Sequence, residues 1–429
     1  MLRTNLQPAP AKVASIFLFA LAVLLTVTAQ AQTFTVLHNF TGGGDGAHPV
    51  AGLTSDSAGN FYGTTYGTTQ FAGVNYGNVF KLEHQGSGWL LAPLYTFQGG
   101  NDGAAPNAGV IFGPDGALYG TTIFGGGGPC RSGTGVLGCG TVFKLTPPST
   151  VCRTTSCPWT ETILYTFQGG NDASNPASRV TFDQSGNLYG TTDSGGVSGH
   201  GTVYELQPSN GSWSESVVYS FSPGPNGMNP EAEVLFDGAG NLYGTAPQGG
   251  QGCSGLGCGV VYELSHSGSG WIETVLYSFT GGNDGGDPYG GLIFDAAGNL
   301  YGTTVAGGTN NPGGTVFELT PSNGGWTLTT LYSLYGNSGP VATLVMGRVG
   351  NLYGTASGDP FGSGSVFELE RSGGGWTVNE LHSFNGSDGI YVYGAPVLDS
   401  AGNLYGTTNL GGQSQNCSDG CGVVWELAP

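Results

Sequence analysis

Two oppositely charged residues break an otherwise small-residue pattern and could do chemistry together. When the internal repeats of the chain are aligned on one another, Gly52, Gly109, Arg179, Glu233, Gly291, Thr343 and Ala395 occupy one equivalent position near a predicted central channel. Five are small, and two on adjacent repeats carry opposite charge. Arg179 and Glu233, with Glu231 two residues earlier, could line a polar ligand pocket at the channel mouth. The competing account is a structural ion pair that fills space.

A second set of residues could hold a hard cation. Asp45, Asp102, Asp172, Asp284 and Asp388 recur four residues before a proline or its equivalent, with Asn226 in the same slot of another repeat and Gly336 in the remaining one. No cofactor is predicted, but a ring of such carboxylates near the channel mouth could bind calcium through oxygen ligands. The same residues also make good turns, because an Asp side chain accepts hydrogen bonds from nearby backbone N–H groups. No Asp-x-Asp-x-Asp-Gly loop is present, and turn-making is the stronger account.

The eight cysteines form four close pairs: Cys130 with Cys139, Cys152 with Cys157, Cys253 with Cys258, and Cys417 with Cys421. An even count at short spacing predicts local disulfides in an exported chain, while zinc would need thiolates gathered from one place. His38 and His382 replace a recurring tyrosine and read as structural. The other histidines have no repeated carboxylate or cysteine neighbours, and no Gly-x-Ser-x-Gly elbow occurs, so no catalytic residue is assigned.

The elements that must position these groups come from one repeat. Gly-Asn-Leu-Tyr-Gly-Thr or a near relative appears seven times, around Tyr62, Tyr119, Tyr189, Tyr243, Tyr301, Tyr353 and Tyr405. Before each anchor runs a short apolar strand such as Leu292-Ile293-Phe294, joined to it by a tight turn. After it come a glycine-rich loop of variable length and a third strand such as Gly314 to Leu319. A fourth, Trp326 to Ser333, is marked by β-branched and aromatic residues. Tryptophan opens the fourth strand in six repeats, which reads as packing. The 83 glycines therefore punctuate turns, and no helical period appears beyond the first 31 residues.

Four antiparallel strands per repeat, seven times over, predict an all-β, seven-bladed β-propeller spanning residues 32–429 as one domain. The chain ends on a third strand, Val423 to Leu427, with no fourth after it. Val36 to Phe40 carries the fourth-strand pattern, so the N-terminal strand is expected to complete the last blade and tie the ring shut. Alternation of strand direction puts the loops after the second and fourth strands on one face. That face is variable in length and is where binding is expected.

Residues 1–31 read as a secretory signal peptide: Arg3 and Lys12, an apolar run from Val13 to Val27, and Ala29-Gln30-Ala31 as a cleavage site. Removing it changes the net charge from 9 − 28 = −19 to 7 − 28 = −21. Nucleic acid is excluded as a partner on that ground, because its affinity rests on Lys and Arg neutralising phosphates. No later stretch is apolar enough to span a membrane. The mature protein is expected to be a secreted or periplasmic monomer.

The ordered series Gly-Asn-Leu-Tyr-Gly-Thr, Gly-Gly, Gly-Thr-Val-Phe-Glu-Leu and Leu-Tyr-Ser-Phe resembles the GloVer tandem-repeat family of exported bacterial proteins, over residues 33 to 427. The resemblance implies an exported propeller-like repeat protein and no particular reaction. Family members often carry a C-terminal anchor, whereas this chain stops at Pro429, which favours a free protein. The residues favour a noncatalytic binding scaffold whose variable loops engage a glycan, a peptide or another exported protein. The alternative is a propeller enzyme, a polysaccharide lyase or hydrolase with its site at the channel mouth.

Overall fold

In the computed structural model, residues 32–67, 75–131, 135–149, 159–268, 270–309, 313–336, 339–358 and 363–429 are described. They form seven four-stranded antiparallel sheets, the blades of a β-propeller. The fifth blade shows the plan. Its strands are Ile293–Phe294, Leu300–Thr304, Thr315–Ser322 and Gly325–Ser333, paired in chain order. The first strand is only two residues long, shorter than the apolar run predicts.

Each residue of the anchor motif has a separate task. The Asp295 backbone N–H donates to the Asn299 carbonyl, and Asp295 Oδ1 accepts from the backbone N–H groups of Ala297 and Asn299, which closes the hairpin around Gly298 at φ 86°. The Tyr301 hydroxyl lies 3.2 Å from Asp295 and 2.7 Å from Glu318 on the third strand. Gly302 is required by packing, because a Cβ there would sit 2.5 Å from the Phe317 ring. Thr303 then donates to the Ala342 carbonyl of the next blade.

That last bond occurs at all seven blade junctions. Thr64, Thr121, Thr191, Thr245, Thr303, Thr355 and Thr407 donate to Ala108, Ser178, Ala232, Gly290, Ala342, Gly394 and Ala51 at 2.8–3.2 Å. The threonines are buried, so each bond satisfies a hydroxyl that would otherwise be costly to desolvate. Thr407 to Ala51 joins the last blade to the first.

The N-terminal strand Thr33–Asn39 pairs antiparallel with Val423–Ala428 and completes the seventh blade. It carries the bulge found in the complete fourth strands: the register skips Leu37 between Val36 and His38, as it skips Leu331 in the fifth blade. Phe34 stacks on His382 at 3.7 Å and packs against Trp425.

Apolar cores lie between adjacent blades. The fourth-strand tryptophans pack against the anchor tyrosine of the preceding blade, with centroids 6.2–6.5 Å apart, five edge-on and Trp159 tilted. They cover the blade junctions, as their recurrence predicts.

Candidate functional site

The channel opens on the variable-loop face into a cavity of about 400 Å³, lined by residues from all seven blades. It has two tiers, set by the stretch that follows each proline or its equivalent. The outer tier includes Asn107, Glu231, Tyr289 and Tyr393, and the inner tier includes Arg179, Glu233 and Thr343. The threonine bonds across blade junctions grip the residue between the tiers, so the frame that orients the cavity is the repeat itself.

The three residues singled out from the sequence all line this cavity. Arg179 and Glu233 do not form the ion pair that adjacent opposite charges suggest; no bridge joins them among the described residues. Arg179 Nη2 reaches past blade two to the Thr54 hydroxyl of blade one at 2.5 Å, and lies 3.4 Å from the Val110 carbonyl. Its Nε is buried with no hydrogen-bond partner. Glu233 turns the other way and accepts from the Thr343 hydroxyl of blade six at 2.9 Å. Small residues make room for this crossing, since a Cβ on Gly291 would lie 2.8 Å from the Thr343 hydroxyl and 3.2 Å from Glu233 Oε1.

Burial lowers the pKa of the Arg179 guanidinium, and the field of Glu233 opposes that shift. Among the described residues none donates a hydrogen bond to the Glu231 side chain, and burial followed by the charge of Asp193 pushes its carboxyl up to about 7. Burial also raises Asp287, and with Glu231, Asp287 and Asp193 nearby it raises the Tyr289 hydroxyl. The rim on blades three to five is thus acidic and unneutralised. Asp193, Asp287 and Tyr289 escape a search for repeat-breaking charges because their neighbourhood exists only in three dimensions.

The five aspartates lie elsewhere. None lines the cavity, and each is held in its own blade-to-blade loop by the fourth strand before it. Asp102, Asp172 and Asp284 accept from the hydroxyls of Tyr95, Tyr165 and Tyr277 at 3.0–3.2 Å, and from the N–H groups of Gln98, Gln168 and Thr280. Asp45 and Asp388 bond instead to His38 and His382, which explains histidine in the tyrosine slot. These acids therefore sit in turns beside the fourth, outer strand of each blade, as the turn-making account has it, and form no ring at the channel mouth. Among the described residues, no three His, Cys, Asp or Glu side chains gather where one metal ion could be held.

A further set of acids emerges at the blade junctions. Glu161, Glu215 and Glu273 occupy the fourth-strand position that is Leu or Val in other complete blades. Burial raises all three to about 7, reinforced by Asp102 at Glu161 and by Asp172 at Glu215. Tyr95 lies between Asp102 and Glu161, at 3.1 and 3.3 Å, and its single proton serves only one at a time. A glutamate where the other repeats place an aliphatic residue is the sequence signal for this feature.

Three of the expected disulfides are present, Cys130–Cys139, Cys253–Cys258 and Cys417–Cys421. Each clips a loop between second and third strands and packs on a left-handed glycine in the exit loop of its own blade: Gly169, Gly281 and Gly42. Cys152 and Cys157 lie outside the described residues. The entry loop of a blade also pairs with this clipped loop, as in Ala104 with Phe124, Met228 with Gln248 and Ile390 with Leu410. The disulfides point to an oxidising extracellular or periplasmic compartment. No helix among the described residues is long and apolar enough to cross a membrane.

Comparison with known proteins agrees on the fold. The ulvan lyase of polysaccharide lyase family PL25, solved with a glucuronate–sulfated rhamnose ligand, is similar with a TM-score of 0.53 and 11% identity over 92% of this chain and 95% of that one. A periplasmic gluconolactonase of Pseudomonas aeruginosa is similar with a TM-score of 0.48 and 15% identity, over 86% of this chain and 99% of that one. At 11% identity the likeness to the ulvan lyase is one of fold alone. No curated protein matches the chain. The model of the Gloeobacter/Verrucomicrobia repeat matches residues 128–326 and 251–429, and the chain belongs to that repeat family.

Proposed function

We propose that the chain is an exported, noncatalytic binding scaffold that holds a glycan, a peptide or another exported protein on its variable-loop face, over the central cavity. One observation carries this reading. The polar groups of the repeat are largely occupied with one another, whereas the blade-specific Arg179, Glu231 and Glu233 line a single cavity with hydrogen-bonding capacity left over. Cavities of this size, with a few convergent polar groups, are the usual form of a small-ligand site. Export rests on the leader-like residues 1–31 and on the disulfides.

The test is calorimetry of the purified protein against panels of oligosaccharides and peptides, repeated with Glu231→Gln and Arg179→Lys. Binding that weakens about tenfold in either variant supports the cavity; binding that both leave unchanged places the site elsewhere. A second reading follows from Glu231, whose raised pKa of about 7 suits a general acid or base in an extracellular lyase or hydrolase. Turnover of a polysaccharide that Glu231→Gln abolishes would replace the scaffold reading.

A further inference from the structure

The inner tier holds two opposite charges that the protein leaves half used. Arg179 spends Nη2 on Thr54 and Val110, while among the described residues Nη1 makes no hydrogen bond and Nε is buried without a partner. Among the described residues Glu233 takes one bond, from Thr343 to Oε1, and none to Oε2. The two lie in the same cavity and feel each other electrostatically, yet form no ion pair. Their anchors pull them in different directions around the ring, Arg179 toward blades one and two and Glu233 toward blade six.

Separated, partly desolvated charges of opposite sign select for a ligand that presents the complement of both. A neutral polyol would desolvate the guanidinium and the carboxylate without supplying a counter-charge to either. A simple anion would satisfy Arg179 but face Glu233, the acidic rim, and the net charge of −19 formally carried by the whole chain. A simple cation would meet Glu233 but leave the positive charge of Arg179 without a counter-charge. A ligand with both charges a few bonds apart makes charge-assisted hydrogen bonds to both residues and carries no net charge through the acidic mouth.

Building on the cavity as the binding site, we infer that its inner tier takes a small zwitterion of the α-amino-acid type, with the carboxylate on Nη1 of Arg179 and the ammonium on Glu233. The outer tier then meets the ligand's side chain, with Tyr289 and Tyr393 offering aromatic surface.

The experiment is titration calorimetry of the purified protein with free amino acids, their N-acetyl and carboxamide derivatives, and a neutral disaccharide. At least one free amino acid is expected to bind. Blocking either charge should weaken it about 10- to 100-fold, the range for hydrogen bonds to charged groups. Arg179→Lys should lose affinity for the free and N-acetyl forms alike, and Glu233→Gln, which keeps an acceptor for Thr343, should lose the preference for a free ammonium. The two variants should melt within a few degrees of the parent. Failure of every free amino acid to bind overturns the inference. So does a neutral disaccharide or a doubly blocked derivative that binds as tightly as the free form; if Arg179→Lys weakens that binding too, the cavity stands and only the ligand class falls. Binding that neither variant alters overturns both readings.

Discussion

Glu233 Oε1 accepts a hydrogen bond from the Thr343 hydroxyl at 2.9 Å, across the side-chain position that Gly291 leaves empty. A carboxylate from blade four is thereby fixed by blade six, and its orientation depends on the absence of one methyl group.

Gly291→Ala tests that dependence. The added Cβ would lie within 2.8 Å of Thr343 and 3.2 Å of Glu233, so the bond should break at a cost of about 1 kcal/mol. A ligand bound through Glu233 should weaken in calorimetry, while circular dichroism stays that of the parent.

Closure is the next prediction. Removing residues 33–39 strips the partner from Val423–Ala428 and uncovers the buried Trp425 and Leu427. The truncated chain should lose its cooperative thermal transition or melt far below the parent. Thr407→Val removes only the hydroxyl that reaches Ala51 and should cost about 1–3 kcal/mol in urea unfolding, because it leaves a buried carbonyl unpaired.

Stability should depend on pH through the junction glutamates. Glu161, Glu215 and Glu273 have folded pKa values of about 7 against an ordinary 4.5, so the native state holds their protons more tightly than the unfolded chain does. Their contribution is complete below about pH 4.5 and is lost as pH rises through about 7. The melting temperature should fall across this window, and replacing all three with Gln should flatten the decline.

The loop aspartates should act without metal. Asp284 is engaged by Tyr277, by the Thr280 N–H and by the Thr280 hydroxyl, so Asp284→Ala should cost about 1–2 kcal/mol. Calcium should leave the melting temperature of parent and variant unchanged; a calcium-dependent rise in the parent alone would restore these acids as ligands.

Reduction should loosen loops rather than unfold the ring. The described bridges close loops of sequence separation 9, 5 and 4, where the entropic gain is small. Dithiothreitol should speed amide exchange around Gly169, Gly281 and Gly42 while the strands keep their protection.

Most of the architecture was legible in the sequence because it is local and repeated. Seven Tyr-Gly-Thr anchors implied seven blades, the match of Val36 to Phe40 with the fourth-strand pattern implied closure, and short cysteine spacings implied the clips that now join Cys130 to Cys139 and Cys417 to Cys421. Alignment also brought Arg179 and Glu233 to one tier of the channel. Tertiary structure decided what those residues do. Their side chains span to blades one, two and six, so sequence adjacency of blades suggested an ion pair where the chain makes two separate anchors. For the loop aspartates the spacing allowed both a turn and a ring, and the fourth-strand tyrosines and histidines hold each at the outer edge of its blade. A repeat specifies the backbone frame and its local hydrogen bonds, whereas the direction in which a long side chain crosses that frame depends on which distant neighbours leave room and supply a partner.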